Sequence, residues 1–152
     1  MNKRLIPLGI IFCISGLIYI FLELLWRGRT HWTMFICAGI CGLVIAAVND
    51  NWLDFETDFR LQVLICALMC SLMEFIFGII FNGDFSIWDY RELWGTIHWL
   101  GDQVNILFFG IWLIISTFAL PFLDWIEWKL GLEEQPYYRI GRNYICPWEE
   151  KE

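Results

Sequence analysis

Four stretches of the chain are nearly unbroken apolar runs, and most of the charge collects between and after them. The runs fall at about 5–25, 32–48, 61–81 and 104–123. A helix rises ~1.5 Å per residue, so ~20 apolar residues cross the ~30 Å hydrocarbon core of a bilayer. Each run predicts a transmembrane helix. The second is the shortest and has little length to spare for tilt. Trp26, Trp32, Trp52, Trp88, Trp94, Trp99, Trp125 and Trp128 stand at or just beyond the run ends, where amphipathic rings sit among lipid headgroups. The expected fold class is all-α: a polytopic membrane protein with a four-helix transmembrane bundle over residues 1–130. A tail over 131–152, polar and aromatic, is expected to have little core of its own. The longest connection, 82–103, carries "RELWGTIHWLGDQ" and is expected to be an ordered loop with a short surface or re-entrant helix.

Polar and small residues inside the runs show which faces meet. Ala38, Gly42 and Ala46 recur every four residues in the second run, a spacing that lets a neighbouring backbone approach closely. In the third run Ala67, Ser71, Glu74, Gly78 and Asn82 form one stripe, which on a helix of 3.6 residues per turn is a single face. Being small or polar, that face should look into the bundle. Asn105, Trp112 and Ser116 make a similar inward line in the fourth run.

Composition supports a membrane protein and excludes other classes. The 152 residues are 59% hydrophobic and only 18% charged, too apolar for a soluble domain of this length. The net charge of -7 leaves no basic surface for nucleic acid. With four spans, Lys3, Arg4, Arg60, Lys129, Arg139, Arg142 and Lys151 share one side, against Arg27, Arg29 and Arg91 on the other. This asymmetry predicts a multi-pass protein of the cell (plasma) membrane with both termini cytoplasmic. The first run is too long for a signal peptide and no small-residue cleavage site follows it. Cys37/Cys41 and Cys66/Cys70 are each four apart; such pairs fit close packing or, alternatively, a soft metal ion. No metal and no cofactor is expected.

Glu74 is the costliest residue. It stands ~10 Å from the end of its span at 1.5 Å per residue, where a charge costs at least ~2.5–3.5 kcal/mol. It either serves a ligand or proton, or locks helices by hydrogen bonding. With this topology it lies nearer the outer surface. Glu23 and Arg27, four apart at the outer end of the first span, reach the same side, as do His31, Asn82, Trp88, Asp89 and Tyr90. These eight residues make a candidate ligand site, a polar crevice near the outer leaflet. Each has a plainer role too: Glu23 and Arg27 as an interfacial pair, His31 as an interfacial hydrogen bonder, Asp89 as a cap. Asp124, at the opposite end, is expected to be solvated. H-E-x-x-H, G-x-S-x-G and Walker A motifs are all absent.

The segments "RGRTHWTMFICAGICGLVIAAVND", "LMEFIFGIIFN", "IWDY" and "WLGDQVNILFFGIW" resemble the bacterial ABC-transporter permease family known as CmpB-like, over about residues 16–128. The resemblance rests on Glu23, Arg27, Gly28, His31, Met34, Gly39, Asn49, Glu74, Gly78, Asn82, Trp88, Asp89 and Tyr90. Arg91 stands where the family has Ser, and the family's N-x-x-G-Q is met only loosely by His98, Gly101 and Gln103. The resemblance implies a transport-type subunit that binds a small or lipidic ligand. Its partners would be the lipid bilayer and either further copies of itself or a partner membrane or ATPase subunit. Two other readings stay open: an enzyme using Glu74 with His31 or Asp89, and an oligomeric channel or assembly protein in which Glu74 is structural.

Overall fold

The structure, a computed structural model, describes residues 5–48 and 52–148. Lys3, Arg4, Asn49, Asp50 and Lys151, used above, lie outside them. Four helices follow in order: α1 (Leu5–Arg27), α2 (Trp32–Ala47), α3 (Phe59–Phe81) and α4 (Ile106–Lys129). α1, α3 and α4 are long and apolar enough to cross a membrane, with mean hydropathies of 2.5, 2.5 and 2.3. α2 has 16 residues, which at ~1.5 Å each is ~24 Å, short of the ~30 Å hydrocarbon core.

Local chemistry sets the helix ends. After Arg27 the chain turns at Gly28, whose φ of 68° is the left-handed conformation that glycine adopts at little cost. α2 is capped by His31, whose Nδ1 accepts from the Thr33 N–H. Asp58 caps α3 by accepting from the Arg60 N–H, and Asn105 caps α4 by accepting from the Leu107 N–H. Each cap takes up a donor that the first turn of a helix leaves free.

α1 packs on α2, α2 on α3 and α4, and α3 on α4, whereas α1 and α4 scarcely meet. The bundle is therefore open along one side. The α1–α2 crossing is close because of small residues. A Cβ on Gly16 would lie 2.8 Å from the Phe35 carbonyl oxygen, and one on Gly42 would collide with Ser15. The expected inward stripe of α3 does face the core: Ala67, Glu74, Gly78 and Asn82 are buried. So are Asn105, Trp112 and Ser116. Cys37, Cys41, Cys66 and Cys70 are buried, free thiols of the core. Among the described residues no group of three or more His, Cys, Asp or Glu is arranged to hold a metal ion.

Three expectations change. First, the chain is not purely helical, and the tail has a core. β1 (Tyr138–Ile140) and β2 (Asn143–Ile145) form an antiparallel hairpin. It folds back so that Tyr138, 3% exposed, packs edge-on against Phe59 at 5.0 Å. Second, Asp124 is buried and accepts from the Tyr138 hydroxyl; the returning hairpin covers the turn of α4 that would otherwise meet water. α4 continues to Lys129, through the "DWIEWK" that follows the apolar run. Third, Trp88 is 5% exposed and sits inside the fold, unlike Trp26 at 84%. The segment 82–105 closes over the bundle end and carries Trp88 inward, with only a single 3₁₀ turn at His98–Leu100. We call this segment the lid, its side the lid end, and the hairpin side the tail end.

Candidate functional site

The eight residues expected to form one crevice are distributed over three interlocking contacts, one open hollow and one exposed position. At the first contact Glu74, 6% exposed, uses both carboxylate oxygens. Oε1 accepts from the Tyr90 hydroxyl at 2.7 Å, and Oε2 accepts from the Trp112 indole N–H at 3.1 Å. The carboxylate thus ties α3 to the lid and to α4. Tyr90 packs on Phe108 with ring centroids 4.5 Å apart. Burial, and next the Glu74 carboxylate, hold the Tyr90 hydroxyl well above its usual pKa, so it acts as a hydrogen-bond donor. Trp112 in turn stacks on Tyr19 of α1, with centroids 6.2 Å apart and planes 13° from parallel.

The second contact is centred on Asn82, the C-cap of α3. Its amide donates to the Trp88 carbonyl at 2.7 Å and to Gln103 Oε1 at 3.0 Å. Its oxygen accepts from the Ile87 N–H at 2.9 Å and from the Trp88 N–H at 3.3 Å. The Gln103 amide donates back to the Asn82 carbonyl, and the Trp88 indole N–H donates to the Gln103 carbonyl. Gly78 makes room for this: a Cβ there would stand 2.8 Å from the Gln103 Cβ. The lid is closed on itself by Asn105, whose amide donates to the Trp94 carbonyl and to the Thr96 hydroxyl.

The third contact clasps the end of α1. Glu23, buried, accepts from Arg27 through one oxygen and from the Thr30 hydroxyl through the other. Arg27 also donates to the Ile87 carbonyl at 2.9 Å, joining α1 to the lid. Asp89 takes no part in these contacts. It is exposed and pairs with Arg91 at 2.6 Å, and the guanidinium holds its carboxyl down at about 2. His98 sits on the exposed surface with Asp102, 2.5 Å away.

No hydrogen bond among the described residues joins Glu74 to His31 or to Asp89. Their partners are Tyr90 and Trp112, Thr33, and Arg91 respectively. These three side chains therefore do not form one directly hydrogen-bonded network.

Two hollows flank the contacts. A groove of about 500 Å³ follows the open side between α1, α2 and α4. Its walls are apolar apart from Ser15 and the Tyr19 hydroxyl, and Tyr19 and Trp112 both line it. A smaller crevice of about 230 Å³ at the lid end is lined by Arg27, Arg29, Thr30, His31, Ser86 and Ile87. Glu74 lines neither. Tyr19 stands outside the eight candidates; as a tyrosine in the first run its only signal is a polar tip at the depth of Glu74. Gln103 and Thr30 are visible as polar residues in the sequence, but nothing there says what they would bond.

No protein-family model, no curated protein and no solved structure matches the chain.

Proposed function

We propose that the protein is a permease-like, transport-type subunit of the cell membrane whose ligand is lipidic and enters the side groove between α1, α2 and α4. All four helices cross the bilayer in this reading, with both termini cytoplasmic and the lid outside. The observation that carries it is the groove itself: about 500 Å³, within the ~300–1,000 Å³ typical of small-molecule sites, and lined by apolar residues of α1, α2 and α4. An acyl chain would enter without crossing a polar layer. Because bilayer lipid is as apolar as the groove, the gain comes from packing rather than from escape from water. Close walls of defined shape are therefore what matters, and Trp112, stacked on Tyr19 and hydrogen-bonded to Glu74, provides one. Glu74 then acts through Trp112 rather than by touching the ligand. The likeness of "LMEFIFGIIFN" and "IWDY" to the CmpB-like family supports the permease part of the reading. With no nucleotide-binding motif in the chain, energy would have to come from a partner ATPase subunit or from an ion gradient.

The test is photolabelling of the purified protein in nanodiscs with a phospholipid carrying a diazirine in one acyl chain. Labels should concentrate on groove residues such as Ile18, Ile115 and Ala119. Ala119→Trp, which fills the groove, should cut that labelling about tenfold, the effect of ~1.4 kcal/mol. Ile80→Trp, on an exposed face away from the groove, should leave it unchanged. Labels spread evenly over all lipid-facing positions, and equal in both variants, would sink the proposal.

A further inference from the structure

We infer that the crevice formed by the α1–α2 turn and the lid is a binding site for a phosphate-class anion, held by Arg29 with the anchored Arg27 and His31. The crevice has a volume of about 230 Å³ and is lined by two guanidinium groups, one imidazole and no carboxylate. That concentration runs against a chain whose net charge is -7.

Each lining group has a definable state. Arg27 donates to Glu23 and to the Ile87 carbonyl, so its charge is balanced and its fork fixed. A guanidinium has five N–H donors, and these contacts leave three for another acceptor. Arg29 is exposed and forms no hydrogen bond or ion pair among the described residues. It is the charge of the crevice that nothing local balances. His31 Nδ1 lies 2.8 Å from the Thr33 hydroxyl and 3.4 Å from the Thr33 N–H; with Nδ1 accepting there, Nε2 carries the ring proton and can donate. Thr30 spends its hydroxyl proton on Glu23. On the lid side, Asp84 accepts from the Ser86 N–H. An anion is therefore met mainly from the α1–α2 side.

Planar forks that donate in pairs match phosphate oxygens better than they match a small spherical anion. Trp26 and Trp32 flank the turn and are exposed. Exposed Trp at a span end marks the headgroup level, where lipid phosphates lie. The same chemistry would take either a lipid phosphate or a free phosphate. The crevice shares no lining residue with the apolar groove, so this inference goes beyond the proposed function and does not depend on it.

The experiment uses the full chain in nanodiscs. In one arm, inorganic phosphate is titrated calorimetrically in phosphatidylcholine nanodiscs. In the other, the lipids retained from an equimolar phosphatidylcholine–phosphatidylglycerol mixture are counted by native mass spectrometry. Saturable phosphate binding supports the site with free phosphate as its ligand. Selective retention of phosphatidylglycerol without phosphate binding supports it with a lipid headgroup. In either arm Arg29→Gln should lose about tenfold, as expected for one charge-assisted contact. Arg29→Lys, which keeps charge but not the fork, should lose less. Arg91→Gln is the control, since it removes an equal charge from the lid outside the crevice. Binding in neither arm, or equal losses in Arg29→Gln and Arg91→Gln, overturns the inference.

Discussion

Replacing Glu74 separates a structural carboxylate from one that serves a ligand directly. In Glu74→Ala both acceptors vanish, and the Tyr90 hydroxyl and Trp112 N–H that they met at 2.7 and 3.1 Å are left in a buried site. A buried donor without a partner costs ~1–3 kcal/mol. Interhelical hydrogen bonds in bilayers average nearer ~0.6 kcal/mol, because the unfolded chain in the membrane finds other partners. Relief from burying a carboxylate acts in the opposite direction. Taken together, the loss should be about 2–4 kcal/mol. Glu74→Gln is different in kind. Its carbonyl oxygen can accept from Trp112, which only donates, while its NH2 donates to the Tyr90 oxygen, which can do either. The cost should stay within ~1 kcal/mol. Reversible unfolding in mixed micelles, followed by far-ultraviolet circular dichroism, measures both. Tyr90→Phe, made in the parent and again in the Glu74→Ala variant, gives the coupling directly. It should cost more in the parent, and the difference is expected at ~0.5–3 kcal/mol. If Glu74→Ala is as stable as the parent, or if Glu74→Gln falls as far as Glu74→Ala, the locking argument fails.

Two further outcomes follow from the lid and the tail. Asn82→Leu removes four side-chain hydrogen bonds at the α3 C-cap. It should speed hydrogen exchange at the Ile87 and Trp88 amides by about 100-fold, equivalent to ~2.7 kcal/mol, while α3 itself stays protected; unchanged exchange would refute the capping role. Asp58 accepts from Arg60 and from the Gly141 N–H of the hairpin, and first the Arg60 contact holds its carboxyl below the usual range. A depressed acid stabilises above its unfolded pKa of ~3.9 and loses that contribution as pH falls below it. Limited proteolysis at the hairpin should therefore accelerate below about pH 4, and Asp58→Asn should show the faster rate already at pH 7.

The long apolar helices could be read from sequence because hydropathy is a local sum, and α3 and α4 begin or end within a few residues of the apolar runs at their lid ends. The stripe from Ala67 to Asn82 is legible for a similar reason, since helical periodicity alone puts those residues on one face. What the stripe faces is not. Glu74 meets Tyr90 and Trp112 across 16 and 38 residues of chain, and the rough helical spacing of Leu93, Trp94, Ile97 and Leu100 in the lid, which yields only a 3₁₀ turn at His98–Leu100, says nothing of where Tyr90 goes. Asp124 shows the limit most clearly. A carboxylate one residue past an expected span end has the pattern of a solvated group. Only the fold-back of Tyr138, 14 residues later, reverses that. α2 is ambiguous in sequence and stays short in structure.

Polar residues gathered at one end of a membrane bundle invite a functional reading, but proximity alone does not distinguish a site from a scaffold. Counting donors against acceptors does. At Asn82 the account closes: both amide donations, both acceptances and the reciprocal Gln103 bond are satisfied inside the chain. At Glu74 two oxygens meet two donors. At Glu23 one carboxylate balances Arg27 and holds Thr30. Buried groups this well satisfied have little left to offer a ligand, and removing one leaves its partners stranded. The account stays open at the α1–α2 turn, where Arg29 carries a charge that no hydrogen bond or ion pair among the described residues uses. The anion site inferred above sits where that surplus is, and the closed networks around it tie the end of α1 to the lid.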